Sequence, residues 1–516
     1  METFEWIVAL LLGAAALATL ARRVGAPYPT FLAIGGACLA FVPGAPEWTL
    51  DPHLALTLFV APILVDAAFD TSLRDLRDNW VPVTGLVIAA VATTTAAVAV
   101  VARLLAPDMP WAVAIALGAI VAPPDAAAAT AVVRQVKLPH RILKILEGES
   151  LLNDASALLI YRLAILAAIG GSGLSVSTFA PIFLLTVFGS VAAGYATARL
   201  TRPLTRLGDT STSIIMQFSL TFGVWIAAEA VGLSGILTLV VYAITISRRG
   251  GEQMPARMRV PTFAVWETVV FVLNAFAFVL IGLQLGPIWG RLGDLALPYL
   301  GISLVVLVVV ILARFAWVMT YSKVIRARIA KYGFNPPRPM ARPTVQSAVV
   351  ISWAGMRGIV TLAAAFAVPE TLSSGEPFPY RDLILLTAFT VVLGTLVIQG
   401  LTLAPLIGWL GLKDDDPVGR EVRLARIEGY RAALAAIEDD DSLPARLLRK
   451  EYGAAIELNQ AAGTDRSVGT PGGPQRRKAI AAAREKALEL RRSAVIGDDA
   501  YHVIEEELDW AELSAG

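Results

Sequence analysis

The sequence predicts an all-α integral membrane protein of about thirteen transmembrane helices, followed by a cytoplasmic helical tail. Three observations carry that prediction. Hydrophobic residues make up 56% of 516 residues, charged residues only 16%, and mean hydropathy is +0.65, far from a soluble domain. Apolar runs of the length a membrane helix needs recur down the chain. The third is the placement of Lys and Arg between those runs.

Taken in order, the spans are 4–21, 28–43, 52–70, 80–102, 110–133, 142–169, 177–198, 211–231, 233–247, 262–285, 296–321, 344–368 and 382–410. The split between 211–231 and 233–247 rests on Gly232 and Gly235. Glu2 and Glu5 precede the first span and Arg22 and Arg23 follow it, the reverse of a cleavable signal peptide, so it reads as a retained helix. Connections after odd-numbered spans hold Arg22/Arg23, Arg74/Arg77, Arg134/Lys137/Arg141, Arg202/Arg206, Arg248/Arg249/Arg257/Arg259 and Lys323/Arg326/Arg328/Lys331. Those after even-numbered spans are nearly free of Lys and Arg, with isolated exceptions such as Arg291 and Arg381. The positive-inside rule then sets the N-terminus outside and the C-terminus in the cytoplasm.

The chain divides into a membrane domain, 1–411, and a tail, 412–516. The tail opens on the acid run Asp414-Asp-Asp416, and Glu438-Asp-Asp-Asp441 is a second. Segments 418–437, 444–460, 478–493 and 499–512 read as charged amphipathic helices, with a flexible linker over 461–477. A solvated tail and a regulatory or dimer-contacting module are equally consistent with this pattern. A formal net charge of +1 gives no argument for nucleic acid. Cys38 is the only cysteine, and His53, His140 and His502 are scattered, so neither a disulfide nor a metal cage is expected.

Within the sixth span stands Glu147-Gly-Glu149-Ser150-Leu-Leu-Asn153-Asp154. A charge at mid-membrane costs roughly 2.5–3.5 kcal/mol on insertion scales. On a helix Ser150 and Asp154 share a face, as do Glu149 and Asn153. Two acids with Asn and Ser at membrane depth point to an ion or proton site rather than to helix-gluing polarity.

Two spans are expected to be discontinuous. Ala122-Pro123-Pro124-Asp125 in the fifth removes two backbone donors, so that helix must unwind or kink next to an acid. Ser352-Trp-Ala-Gly355-Met-Arg357-Gly358 in the twelfth sets glycines around a mid-membrane arginine. The two stand seven apart, pairing helices 1–6 with 8–13 as an inverted repeat around two discontinuous crossing helices, with the seventh as connector. Interrupted helices at matching places mark a transporter's midplane site. Arg357 requires an acidic partner, and Glu149, Asp154, Asp125 and Asp66 are available. Arg162, Glu229, Glu267 and Asn274 are further embedded polar residues, read as structural.

The run Glu147–Asp154 resembles the signature of the monovalent cation/proton antiporter-1 family, the bacterial and animal sodium/proton exchangers. Pro123-Pro-Asp125-Ala is similar to that family's Asp-Pro element on its unwound helix, and Trp353-Ala-Gly-Met-Arg357-Gly358 resembles its arginine-bearing broken helix. The likeness covers residues 1–411 and not the tail. It implies that Asp154 binds either cation or proton, with Ser150, Asp125, Asp66 and the Pro124 carbonyl contributing to the cation site. It also implies that Glu149 and Arg357 form a structural ion pair. Pro124 stands where many members have Thr, Ala126 where they have Pro, and Asp66 where many have Glu. Asn153 stands where electrogenic relatives carry a second acid, implying electroneutral exchange.

The expected function is therefore secondary antiport of Na⁺ or Li⁺ for H⁺ by alternating access, serving pH homeostasis in a bacterial inner membrane. No enzyme activity and no cofactor are expected; the ions are cargo. The expected partners are membrane lipid and a second copy in a homodimer whose core bundle moves against a dimerisation domain. Asp154, Asp125 and Ser150 would ligate Na⁺, since hydroxyl, carboxylate and carbonyl oxygens suit a hard cation. No Walker-type loop is present. The alternatives are a K⁺/H⁺ antiporter of the same fold, an ion channel and an intramembrane aspartyl protease. The protease reading lacks the Gly-x-Gly-Asp pattern before Asp125 or Asp154.

Overall fold

A computed structural model describes residues 2–44, 52–125, 138–170, 176–202, 204, 209–250, 255–333, 343–372, 374–412, 417–461, 473–493, 495 and 498–514. Regular structure among the described residues is helical, apart from one isolated antiparallel bridge between Thr371 and Pro377. Helices are what apolar runs must form where no water can satisfy the backbone. The chain divides into two compact units, Met1–Lys413 and Asp414–Gly516.

In the first unit, helices lie on the apolar runs read from sequence. They include Glu2–Val24, Tyr28–Leu39, Val176–Thr201, Thr210–Ala230, Gly235–Gly250, Ala256–Leu283, Ala296–Tyr332 and Arg381–Leu410. Among the described residues, six stretches are long and apolar enough to cross a membrane: Phe4–Val24, Trp80–Leu105, His140–Ile169, Thr210–Ala230, Met258–Tyr332 and Arg381–Leu410. Tyr28–Leu39, Leu56–Phe69, Trp111–Val121 and Gly235–Ser247 are shorter apolar helices. The chain turns between Thr210–Ala230 and Gly235–Gly250 at Gly232, whose φ of +76° suits glycine.

Small residues set the closest packing. Tyr28–Leu39 and Ala256–Leu283 meet at Gly36 and Gly282, where a Cβ on either would overlap the partner's backbone. Such backbone approach is how helices associate where lipid removes the hydrophobic drive. Gly118 likewise lays Trp111–Val121 on the Thr95 backbone of the neighbouring helix. That brings the helix preceding Pro123 beside His140–Gly170, the long helix carrying Glu149 to Asp154.

Two features were not expected from sequence. Helical runs 52–70 and 80–105 each contain a π turn, Leu56–Val60 and Gly85–Ala90. A π turn shifts the hydrogen-bond ladder and commonly sits at functional sites. Here Ser156 on the long helix donates its hydroxyl to the Val87 carbonyl at 2.7 Å.

In the second unit, Pro417–Ala436 packs on Leu443–Ala461, and Gly473–Arg492 on Asp498–Ser514. The latter pair joins a basic helix to an acidic one, with Arg484 bonded to Asp509 and Glu512, each at 2.7 Å. The stretch expected to be a linker, 461–477, is helical from Gly473 onward, and 462–472 lies outside the described residues.

Candidate functional site

The site is built where the end of Trp111–Val121 and the break between Val345–Trp353 and Ile359–Phe366 meet the long helix. Trp111–Val121 ends just before Pro123 and Pro124, as missing backbone donors require. Ala126 and the continuation of that run lie outside the described residues. Val345–Trp353 ends, residues 354–358 are not helical, and the chain resumes as Ile359–Phe366.

The end of Trp111–Val121 and the break at 354–358 complete each other. Arg357 is fully buried and donates Nε to the Val121 carbonyl at 3.0 Å, Nη2 to the Ala122 carbonyl at 3.1 Å, and Nη1 to the Gly355 carbonyl. It therefore caps the carbonyls left bare where Trp111–Val121 stops. In the other direction, the Asp125 backbone N–H donates to the Met356 carbonyl at 2.7 Å, and Asp125 Oδ2 accepts the Ile359 N–H at 3.3 Å. A carboxylate at the start of Ile359–Phe366 meets unpaired N–H groups and the positive helix end. The fit depends on Gly358, because a Cβ there would fall inside the Asp125 carboxylate. Thr395 completes the joint by accepting the Arg357 N–H at 3.0 Å.

Glu149, Ser150, Asn153 and Asp154 are all buried on the long helix. Asn153 donates Nδ2 to the Pro124 carbonyl at 2.9 Å, tying the long helix to the proline break. Its Oδ1 is buried without a partner among the described residues. Asp154 is 7% exposed and close enough to Asp125 for the two carboxylates to repel each other. No described residue donates a hydrogen bond to the Asp154 carboxylate. Ser150 lies one turn before it. Asp125, Asn153, Asp154 and the Pro124 carbonyl are thus brought together. Asp66 is half-buried on Ala61–Asp70, a helix that touches the long helix.

The expected Glu149–Arg357 pair is corrected by the geometry. Glu149 is held by Arg314, Nη1 to Oε1 at 2.5 Å and Nη2 to Oε2 at 2.7 Å, with both side chains almost wholly buried. Arg314 also donates to the Ile351 carbonyl, from Nε at 3.2 Å and Nη2 at 3.0 Å, capping the end of Val345–Trp353. The reason is that the Arg357 donors are committed to helix-end carbonyls, whereas the Arg314 fork lies flat against the carboxylate. Sequence reasoning passed over Arg314, although a lone cation within the apolar run Ile311-Leu-Ala-Arg314-Phe-Ala was signal enough. Of the other embedded residues, Arg162 and Glu229 pair at 2.7 Å, Asn274 is buried and Glu267 is exposed.

Among the described residues no group of three or more His, Cys, Asp and Glu could hold a metal ion. The polar groups gathered around Asp154 are instead the Asp125 carboxylate, the Asn153 amide and the Pro124 carbonyl, with Ser150 one helical turn away. Such a set can exchange a hard monovalent cation for a proton but lacks the nitrogen and sulfur ligands of a transition-metal centre.

A family model described as "Sodium/hydrogen exchanger, transmembrane" matches residues 7–409. An uncharacterized Na(+)/H(+) exchanger of Mycobacterium tuberculosis is 32% identical over 95% of this chain and 90% of its own length. A sodium, potassium, lithium and rubidium/H(+) antiporter of Bacillus subtilis is also 32% identical, over 73% of this chain and 57% of that protein. Among solved structures, the sodium proton antiporter MjNhaP1 of Methanocaldococcus jannaschii at pH 8 superposes with a TM-score of 0.60. It is 16% identical and covers 80% of this chain and 100% of that one.

Proposed function

The chain belongs to the transmembrane sodium/hydrogen exchanger family, and on that premise we propose that it exchanges Na⁺ or Li⁺ for H⁺, one for one, at Asp154. Membership makes it an integral membrane secondary transporter of the cation/proton antiport class and not an enzyme. The observation that carries the finer reading is the Asp154 carboxylate, buried, without a hydrogen-bond donor among the described residues, and beside Asp125. A buried carboxylate without a countercharge must bind a proton or a cation. A site that crosses the membrane only when loaded with one of them couples the two ions without ATP.

In this reading Asp154 takes the cation or the proton, Ser150 offers its hydroxyl, and Asp125 adds a second carboxylate. Pro124 contributes the lone pair that Asn153 leaves free. Asp66 is a more distant contributor on its own helix. Asn153 positions the proline break and carries no titratable proton, so only one group changes charge per cycle. The reciprocal capping of the two interruptions supports a pseudo-symmetric pair of halves, spans 1–6 and 8–13, with crossing broken helices. Alternating access of that core against a dimerisation domain, in a homodimer in the inner membrane with the N-terminus outside, completes the proposal.

A K⁺/H⁺ antiporter is the second reading, favoured by the Bacillus subtilis relative, whose name spans four monovalent cations. Purified protein in liposomes with an imposed pH gradient, challenged in turn with Na⁺, Li⁺ and K⁺, tests both. Na⁺- and Li⁺-driven proton movement without K⁺ response is expected. Proton movement driven by K⁺ alone would replace the first reading with the second, and no response to any cation would sink both.

A further inference from the structure

Arg162 and Glu229 stand apart from the site just described. Arg162 lies two turns beyond Asp154 on the same long helix, about 12 Å along its axis at 1.5 Å per residue. Glu229 lies in the last turn of Thr210–Ala230. Arg162 Nη2 bonds both Glu229 oxygens, at 2.9 and 2.7 Å, while Glu229 Oε1 also accepts the Gly235 N–H at 2.9 Å. The pair is not sealed in protein: its side chains are 43% and 29% exposed. No described residue accepts from Arg162 Nε or Nη1.

What the pair faces is a cavity of about 590 Å³. Its lining includes Leu152, Ala155 and Ser156, within two positions of Asp154 on the long helix, and Val87 of the π turn. Arg162 and Glu229 are the charged residues among its described lining, and most of the remaining wall is apolar. The cavity therefore runs along the segment of the long helix that carries Asp154, on the face next to that of the carboxylate. A guanidinium along such an approach is a cost to any cation entering it, because charges act over longer range between apolar walls than in water. A carboxylate locked on one face of that guanidinium cancels the repulsion.

We propose that Arg162 and Glu229 form a charge-compensated pair lining one approach to Asp154, in which Glu229 keeps Arg162 from repelling the incoming cation. Both are positioning residues, since neither touches the carboxylates that bind the ion. The inference rests on the antiport reading and adds a sidedness to it. With the long helix running from a cytoplasmic His140 end to an outer Gly170 end, the cavity is the outer approach. Removing Glu229 charge leaves a bare cation near the path, and removing Arg162 charge leaves a bare anion.

The test is the apparent KM for Na⁺ measured separately from each face, in right-side-out and inverted vesicles holding the full-length protein. Glu229→Gln is expected to raise KM on the cavity side by about 2- to 10-fold, the range for unit charges some 12 Å apart at effective dielectric constants between about 80 and 20. Arg162→Gln is expected to lower KM on that side, and Arg162→Gln/Glu229→Gln to return it toward the wild-type value. KM from the other face stays unchanged in all three. Raising impermeant choline chloride toward 1 M, where the screening length falls to about 3 Å, should erase the differences. The charge-exchanged Arg162→Glu/Glu229→Arg keeps the pair and should behave as wild type, which serves if Glu229→Gln does not fold. Equal KM shifts on both faces, or thermal destabilisation with unchanged KM, would overturn the proposal and leave the pair a tether. Wild-type protein that moves no cation would instead overturn the antiport reading beneath it.

Discussion

Glu149 and Arg314 meet in a bidentate ion pair across 165 positions of sequence, almost wholly removed from solvent. The same guanidinium caps the Ile351 carbonyl, so one arginine ties the long helix, its own helix and the end of Val345–Trp353 together. Removing one partner of such a pair strands a buried charge, at about 3–5 kcal/mol, whereas removing both is much milder. Glu149→Gln and Arg314→Gln should each lower the thermal midpoint of the purified protein, and the double variant should recover part of the loss. Glu149→Gln combined with Arg357→Gln should recover less than the Glu149/Arg314 double variant, because Arg357 is not in direct contact with that carboxylate. Strictly additive losses for Glu149 and Arg314 in the unfolding curves would mean the pair carries no coupling.

Arg357 is expected to act as a helix cap rather than as a counter-ion. Its replacement by Met leaves the Val121, Ala122 and Gly355 carbonyls without their donors, at about 1–3 kcal/mol for each buried group left unpaired. Arg357→Lys should retain part of the stability, since an ammonium can reach one or two of those carbonyls but lacks the fork. Hydrogen exchange over residues 111–125 should accelerate in both variants, more in Met. Unchanged protection there would refute the capping role.

Gly358→Ala should be damaging out of proportion to one methyl group. The Cβ would displace the Asp125 carboxylate from the start of Ile359–Phe366, and overpacking of a filled site costs about 1–3 kcal/mol. Gly408→Ala, where a Cβ meets open space, is the matched control. Exchange activity should fall sharply in the first and hardly in the second. Equal activity in the two would show that Asp125 does not need its place beside Gly358.

Asp154→Asn should abolish exchange while leaving a folded, membrane-inserted protein, because the amide can neither take up the proton nor balance the cation. The readout is proton-coupled Na⁺ flux in proteoliposomes, with the elution profile as the check on folding. Substantial residual flux would remove Asp154 from the role assigned to it.

Exchange should be electroneutral, with no current when the potential is clamped and no change in rate when it is stepped. Asn153 contributes to this by carrying no titratable proton; its amide also donates to the Pro124 carbonyl, so Asn153→Asp should lose stability by about 1–3 kcal/mol through the lost donor. A transport-dependent voltage in the wild type would implicate Asp125 as a second proton carrier.

Local chemistry determined much of this protein from sequence alone. Hydropathy placed the apolar helices because a backbone in lipid has to satisfy itself. Pro123 and Pro124 broke their helix because proline lacks the donor that continuation requires. The acids, Asn and Ser within 149–154 were legible as a candidate site because their burial is costly without a purpose. What only the tertiary structure decided was partnership. Arg357 and Arg314 are both buried arginines, and nothing in their neighbours along the chain says which one meets Glu149. That choice depends on which carbonyls are left bare when two interrupted helices come together, and on which fork then lies flat against the carboxylate. The π turns that expose the Val87 carbonyl to Ser156, and the approach that makes Gly358 indispensable, were hidden for the same reason. They arise from contacts between segments tens to hundreds of residues apart, and one-dimensional pattern carries no record of such distances.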